Sequence, residues 1–247
     1  MNLETCRREI LLARDSFPTA LDFLSVERTL DLPKKVSGLI MIDIGSGLSN
    51  AVVELRKNGA KAFAVDYRFK NIVDLNSDAD DFLADEKLKN QRNEQLYFIL
   101  SQSPNLKMQE LENLVDEGEQ DYIQKYERNK HIFLSSLENE RKMYVAAIAG
   151  SLPFRDSSVD FCFSLQCISR FLISDRYVFN GAVSEALRIL KPGGQLQLQP
   201  WISDQMEWSK EERRNGQRLI ENLVSKNIPV TLEMTQSISP MLRIIKP

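Results

Sequence analysis

Histidine and cysteine are scarce, and that scarcity narrows the chemistry first. The one histidine is His131, and the three cysteines are Cys6, Cys162 and Cys167. No two cysteines form a CxxC pair, so neither a zinc site nor a disulfide framework is expected. The thiols read as reduced ones in a cytoplasmic protein. Positive charge is not in excess either: 32 Lys and Arg stand against 35 Asp and Glu, a formal net charge of −3. That speaks against a broad basic surface following a phosphate backbone, and nucleic acid is not the expected partner. No apolar run approaches the roughly 18 residues needed to cross a bilayer, so no membrane partner is expected. The opening MNLETCRREILLARD mixes acids with bases and does not read as a secretory signal.

What is present is the ordinary balance of a globular chain, 43% hydrophobic and 27% charged, so 1–247 is read as a single domain with one substantial core. Residues 1–35 read as an N-terminal helical segment: an amphipathic helix from Leu3 to Arg14, an interruption at Ser16-Phe17-Pro18, and a second helix from Thr19 to Leu30. Then the period changes. Gly38 to Ile44 is a continuous apolar run ending in Asp43-Ile44, as suits a strand buried on both faces. Gly45-Ser46-Gly47 turns the chain, Ser49 to Asn58 has helical spacing, and Lys61 to Asp66 is a second strand ending in an acid. This is one βαβ unit.

Residues 71–141 read as a helical insertion with no strand. Its helices are predicted over Asp78–Leu100, Lys107–Glu117 and Gln120–Glu140, parted at Ser103-Pro104-Asn105 and at Gly118. Strands are predicted again over Met143–Ile148, Val159–Ser164 and Gln195–Gln199. A helix from Ala182 to Leu190 stops at Lys191-Pro192-Gly193-Gly194, and a last one spans Glu211–Lys226. Thr231–Met234 and Met241–Ile245 read as a closing antiparallel pair. Alternating strands and helices predict an α/β fold with a doubly wound, mostly parallel seven-stranded sheet.

The chemistry concentrates at Asp43-Ile44-Gly45-Ser46-Gly47-Leu48-Ser49, where a buried strand meets a helix. Ligands of open α/β sheets bind at the carboxyl ends of such strands. Gly45 and Gly47 allow positive φ and close approach to the backbone. Asp66 ends the next strand, where an acid commonly holds ribose hydroxyls. A dinucleotide fingerprint needs a third glycine at the position of Asn50, so a pyrophosphate fits poorly. A positively charged ligand without phosphate fits better beside Asp43.

IDIGSGLS, AVDYRF, AGSLPFRDSSVDFCFS and EALRILKPGGQLQL, in that order, resemble the motifs of class I S-adenosylmethionine-dependent methyltransferases. The resemblance covers roughly 36–75 and 143–200. It implies a Rossmann-like methyltransferase fold with the insertion between strands 2 and 3, S-adenosyl-L-methionine as cofactor, and in-line transfer of a methyl group. It also implies roles. Gly45, Ser46 and Gly47 would pass under the methionine part, and Asp43 would orient its amino group. Asp66 would hold the ribose and Tyr67 would lie beside adenine. Ser151 and Leu152 would line the adenine end, and Ser164 and Gln166 would face the cofactor and the substrate entrance. Two positions depart from the pattern: Ser49 stands where a third small glycine is usual, and Ile148 where an acid often reads the adenine amino group.

No general base is nameable. His131, in a helical stretch, reads as a polar or packing residue, and Cys167, with no charge partner nearby in sequence, as packing. Trp201 and Trp208 are equally core or pocket. Arg170, Arg176, Arg188, Arg213, Arg214 and Arg218 read as solvated charges. No Asn-Pro-Pro-Tyr-like tetrapeptide follows strand four; Ser164-Leu165-Gln166-Cys167 stands there. A small molecule is therefore the expected acceptor. The alternatives are an RNA or protein methyltransferase, and a non-catalytic cofactor-binding or regulatory module on the same fold. Aminopropyl transfer is remote, since no acidic cluster for a polyamine follows strand four.

Overall fold

The apolar run predicted as the first strand forms β1 (Ile40–Ile44), four of its five residues buried. The structure, a computed structural model, describes residues 26, 29–70, 108–202, 208–234 and 240–247. After β1 come α1 (Ala51–Lys57), β2 (Lys61–Val65), α2 (Met108–Asn139), β3 (Tyr144–Val145), β4 (Val159–Leu165) and α3 (Arg176–Ile189). β5 (Leu190–Gln199), α4 (Lys210–Ser225), β6 (Val230–Glu233) and β7 (Met241–Ile245) complete the order. The sheet runs β3-β2-β1-β4-β5-β7-β6. β1 to β5 are mutually parallel, and β7 lies antiparallel between β5 and β6. This is the doubly wound, mostly parallel seven-stranded α/β sheet that the sequence predicts.

Strand alternation divides the core in two. Met41, Phe161 and Phe163 face Leu55 of α1 and Phe133 and Leu137 of α2. Ile42, Ile44, Cys162, Leu196 and Leu198 face Phe179 and Val183 of α3 and Leu219 and Leu223 of α4. β1 and β4 are neighbours, yet the helices that follow them leave for opposite faces. At such a switch point the two loops part and open a crevice beyond the carboxyl ends of the strands.

Several boundaries differ from the sequence reading. α2 runs straight through Gly118. A glycine costs a helix roughly 1 kcal/mol, while the same helix buries Phe133 in an aromatic cluster with Phe69 and Tyr144, centroids 5.8 and 5.1 Å away. Burial of one such ring contributes roughly 1.5–3 kcal/mol. α2 also serves as the crossover that parallel β2 and β3 require, so the end of the expected insertion is part of the basic fold. The strand predicted over Met143–Ile148 shortens to Tyr144–Val145. It is an edge strand whose ladder ends where β2 ends, at Val65. α3 starts well before Ala182, at Arg176, because Asp175 caps it by accepting from the N–H of Tyr177 and Val178. Lys191 to Gly194 stop the helix as predicted but already lie in β5, with a register shift opposite Val159 and Phe161. The helices predicted over 3–14 and 78–100, and all of 19–30 except Val26, Thr29 and Leu30, lie outside the described residues.

Candidate functional site

The turn after β1 is held by its neighbour strand. The N–H groups of Gly45 and Ser46 donate to Val65 O at 2.7 and 3.3 Å. Gly47 N–H donates to Asp66 Oδ2 at 3.1 Å. Gly45 has φ +74°, and a β-carbon there would overlap Cβ and Sγ of Cys167. Glycine at 45 is therefore needed for the backbone and for packing against the loop after β4. The space beside the Gly45 Cα, expected to admit a ligand, is filled by Cys167.

Two acids stand at adjacent strand ends. Asp43, paired in register with Ala64 of β2 and Phe163 of β4, is 1% exposed. Its Oδ2 has no hydrogen-bond partner, and neither has the buried Oγ of Ser46. Burial, with the charge of Asp66 added, pushes the Asp43 carboxyl up to about 8. Asp66 is the opposite case. Its Oδ1 accepts from the Arg68 N–H at 3.0 Å and from Arg68 Nε at 3.1 Å. Its Oδ2 accepts from Arg68 Nη2 at 3.1 Å and from Gly47. A carboxylate offers about four acceptor positions, and the backbone and one guanidinium fork take all of them. Arg68 is not among the residues to which the motifs assign a role; an arginine two residues beyond a strand-end acid is the signal that points to it.

The β4 side closes the crevice. Ser164 Oγ donates to Ile44 O at 2.9 Å and accepts from Ile168 N–H at 3.1 Å, tying β4 to β1. Gln166 is left-handed at φ 70°, and its N–H donates to Gln199 O at 2.6 Å. A single widened turn, Cys167–Phe171, follows. It brings the Cys167 thiol to Gly45 and to the two acids. Burial first, then Asp66 and Asp43, push that thiol up to about 12.

The remaining expected residues sit further out. Tyr67 is 55% exposed beside Asp66. Ser151 is exposed, and Leu152 is buried in the cluster that holds Ile44 and Val65. Ile148 is exposed. His131 lies exposed on α2. Trp201 is core, its ring 6.3 Å from Phe179. Trp208 is buried beneath the Arg170 guanidinium, 4.9 Å from its ring centroid. Among the described residues no helix is long and apolar enough to cross a membrane.

Residues 124–198 match the model of a family described as a methyltransferase domain. No curated protein matches the chain by sequence. Among solved structures it is similar to a SAM dependent methyltransferase from Aquifex aeolicus, at 14% identity and TM-score 0.44, over 87% of this chain and 85% of that one. It is similar to 1,6-didemethyltoxoflavin-N1-methyltransferase from Burkholderia thailandensis, at 11% identity and TM-score 0.42, over 85% and 72%. It is also similar to magnesium protoporphyrin IX methyltransferase from Synechocystis PCC 6803, at 12% identity and TM-score 0.43, over 86% and 72%.

Proposed function

We infer that this chain, whose residues 124–198 match the methyltransferase-domain family, is an S-adenosylmethionine-dependent methyltransferase acting on a small-molecule acceptor. The observation that carries the reading is Asp43 Oδ2, a buried acceptor with no partner, at the glycine turn of the β1/β4 switch point. Such an atom suits the ammonium of the cofactor's methionine part, and the orphaned Ser46 Oγ lies in the same turn. Asp66, on the next strand end, suits a ribose once the Arg68 fork swings off it. Tyr67 and Leu152 flank the adenine.

The bound cofactor supplies a methyl group on a sulfonium, an electrophile with a good leaving group. The chain's own part is alignment and exclusion of water. Asp43 gives up its proton to pair with the ammonium. Gln166 and the Cys167–Phe171 turn border the entrance for the acceptor. Cys167, pushed up to about 12, keeps its proton at neutral pH and supplies no base. The acidic net charge and the absence of an Asn-Pro-Pro-Tyr-like tetrapeptide after β4 support a small-molecule acceptor. The free thiols of Cys162 and Cys167 fit a reducing cytoplasm.

One observation favours a non-catalytic module instead: Asp66 is fully engaged by Arg68 and Gly47. Calorimetry with S-adenosylmethionine and S-adenosylhomocysteine separates the readings. Binding of both, with S-adenosylmethionine consumed in the presence of small-molecule acceptors, is the expected result. Binding without consumption makes the chain a sensor, and binding of neither overturns the cofactor assignment.

A further inference from the structure

We propose that Glu185 and Arg188, a pair on α3, are positioning residues that set the adenine wall of the cofactor site by gripping the backbone of Leu152 and Phe154 and the side chain of Asp156. The inference rests on the cofactor reading above. Spacing alone put Arg188 among the solvated charges, but the structure uses every N–H it has. Nε donates to Glu185 Oε2 at 2.8 Å and Nη2 to Glu185 Oε1 at 2.7 Å. Nη2 also donates to Leu152 O at 3.0 Å, and Nη1 to Phe154 O at 3.0 Å and to Asp156 Oδ1. Glu185 completes the grip: its Oε1 accepts the Leu152 N–H at 2.8 Å. Both backbone groups of Leu152 are thus held by one helix turn. The Arg188 fork and the Leu152 N–H keep the Glu185 carboxyl below its ordinary range against the opposing effect of burial.

The connection from β3 to β4 explains the need. It crosses β2 and β1, yet 146–158 forms no helix or strand. Its backbone groups lack a ladder, and polar groups without partners are costly when buried. A planar guanidinium with five donors fixes several carbonyls at once, in a way a lysine ammonium does not. Leu152 then enters the cluster of Ile44 and Val65, the residues just before Gly45 and Asp66. Phe154 meets Phe63 of β2 edge-on at 5.7 Å. The segment that lines the adenine end is therefore placed by α3, and that connects the EALR part of the EALRILKPGG motif to the site.

Arg188→Lys and Glu185→Gln test this by calorimetry with S-adenosylhomocysteine and with 5′-methylthioadenosine, which keeps adenine and ribose but lacks the amino-acid part. Loss of one or more of these charge-assisted bonds should weaken both ligands by about tenfold and equally, while exchange of the Leu152 amide accelerates. Asp43→Asn, in contrast, should weaken only S-adenosylhomocysteine. Unchanged affinity for both ligands despite faster Leu152 exchange overturns the inference. So does a loss confined to S-adenosylhomocysteine. If Arg188→Lys does not fold, Glu185→Gln decides by the same readouts. If the wild-type protein binds neither ligand, the cofactor reading fails and this inference falls with it.

Discussion

At the scale of single residues, Asp43 and Asp66 show how one environment gives two acids opposite states. Asp43 is buried with an unpartnered oxygen; Asp66 is equally buried but saturated with donors. Their identity as strand-end acids was readable in the sequence, because each closes an apolar run. Their states were not, because burial and the Arg68 fork are set by neighbours distant in sequence or by a rotamer. Two predictions follow from the pair. Cofactor binding near pH 7 should release a proton from Asp43, visible as heat that depends on the ionisation enthalpy of the buffer. Asp43→Asn should abolish that heat and weaken S-adenosylhomocysteine by about 1.5–3 kcal/mol. An unchanged buffer dependence in the variant would place the proton elsewhere. Arg68→Ala should free Asp66 and speed S-adenosylhomocysteine association in stopped flow. Slower association would mean that the guanidinium helps the ligand in rather than standing in its way.

At the scale of elements, patterning was most legible where burial is symmetric. β1, β2 and β4 fall where the sequence predicts strands, and β7 spans the predicted residues. Legibility failed where tertiary contacts outweigh local signals. Gly118 reads as a break, but α2 is held by burial further along, at Phe133 and Leu137, and by Asn50 Nδ2, which donates to Asn129 Oδ1 at 3.0 Å. That bond joins the crossover helix to the residue just before α1, in the segment that follows the glycine turn. The widened turn Cys167–Phe171 carries no sequence signal: the left-handed Gln166 that opens it depends on the carbonyl of Gln199. Phe133→Ala should destabilise the fold by about 3–5 kcal/mol, because the cavity opens between Phe69 and Tyr144. Urea unfolding measures this. A loss below about 1 kcal/mol would show that α2 is a peripheral appendage rather than a structural crossover.

At the scale of the whole molecule, the site is built at a cost to the fold. The carboxyl of Asp43 ionises near 3.9 in an unfolded chain and at about 8 in the folded one. Between those values the folded state binds more protons than the unfolded state. Stability from this group is complete below the unfolded value and falls as pH rises, until the folded carboxyl has ionised near 8. An acid closing β1 was legible in the sequence; that its burial would cost ligand-free stability as pH rises was not, since that follows from the packing of β1 between β2 and β4. A bound ammonium reverses the penalty by pairing with the carboxylate. A ligand at a hundredfold excess over its Kd adds about 2.7 kcal/mol, and a domain of this size gains roughly 2–4 °C per kcal/mol. S-adenosylhomocysteine at that excess over its pH 6 Kd should therefore raise Tm by about 5–10 °C at pH 6. At the same ligand concentration the rise should be larger at pH 8, where the ligand-free state has lost the most. Asp43→Asn should flatten the pH dependence of the ligand-free Tm and show the smaller rise at both pH values. A wild-type rise equal at pH 6 and pH 8 would take Asp43 out of the cofactor's grip, and with it the observation on which the functional assignment stands.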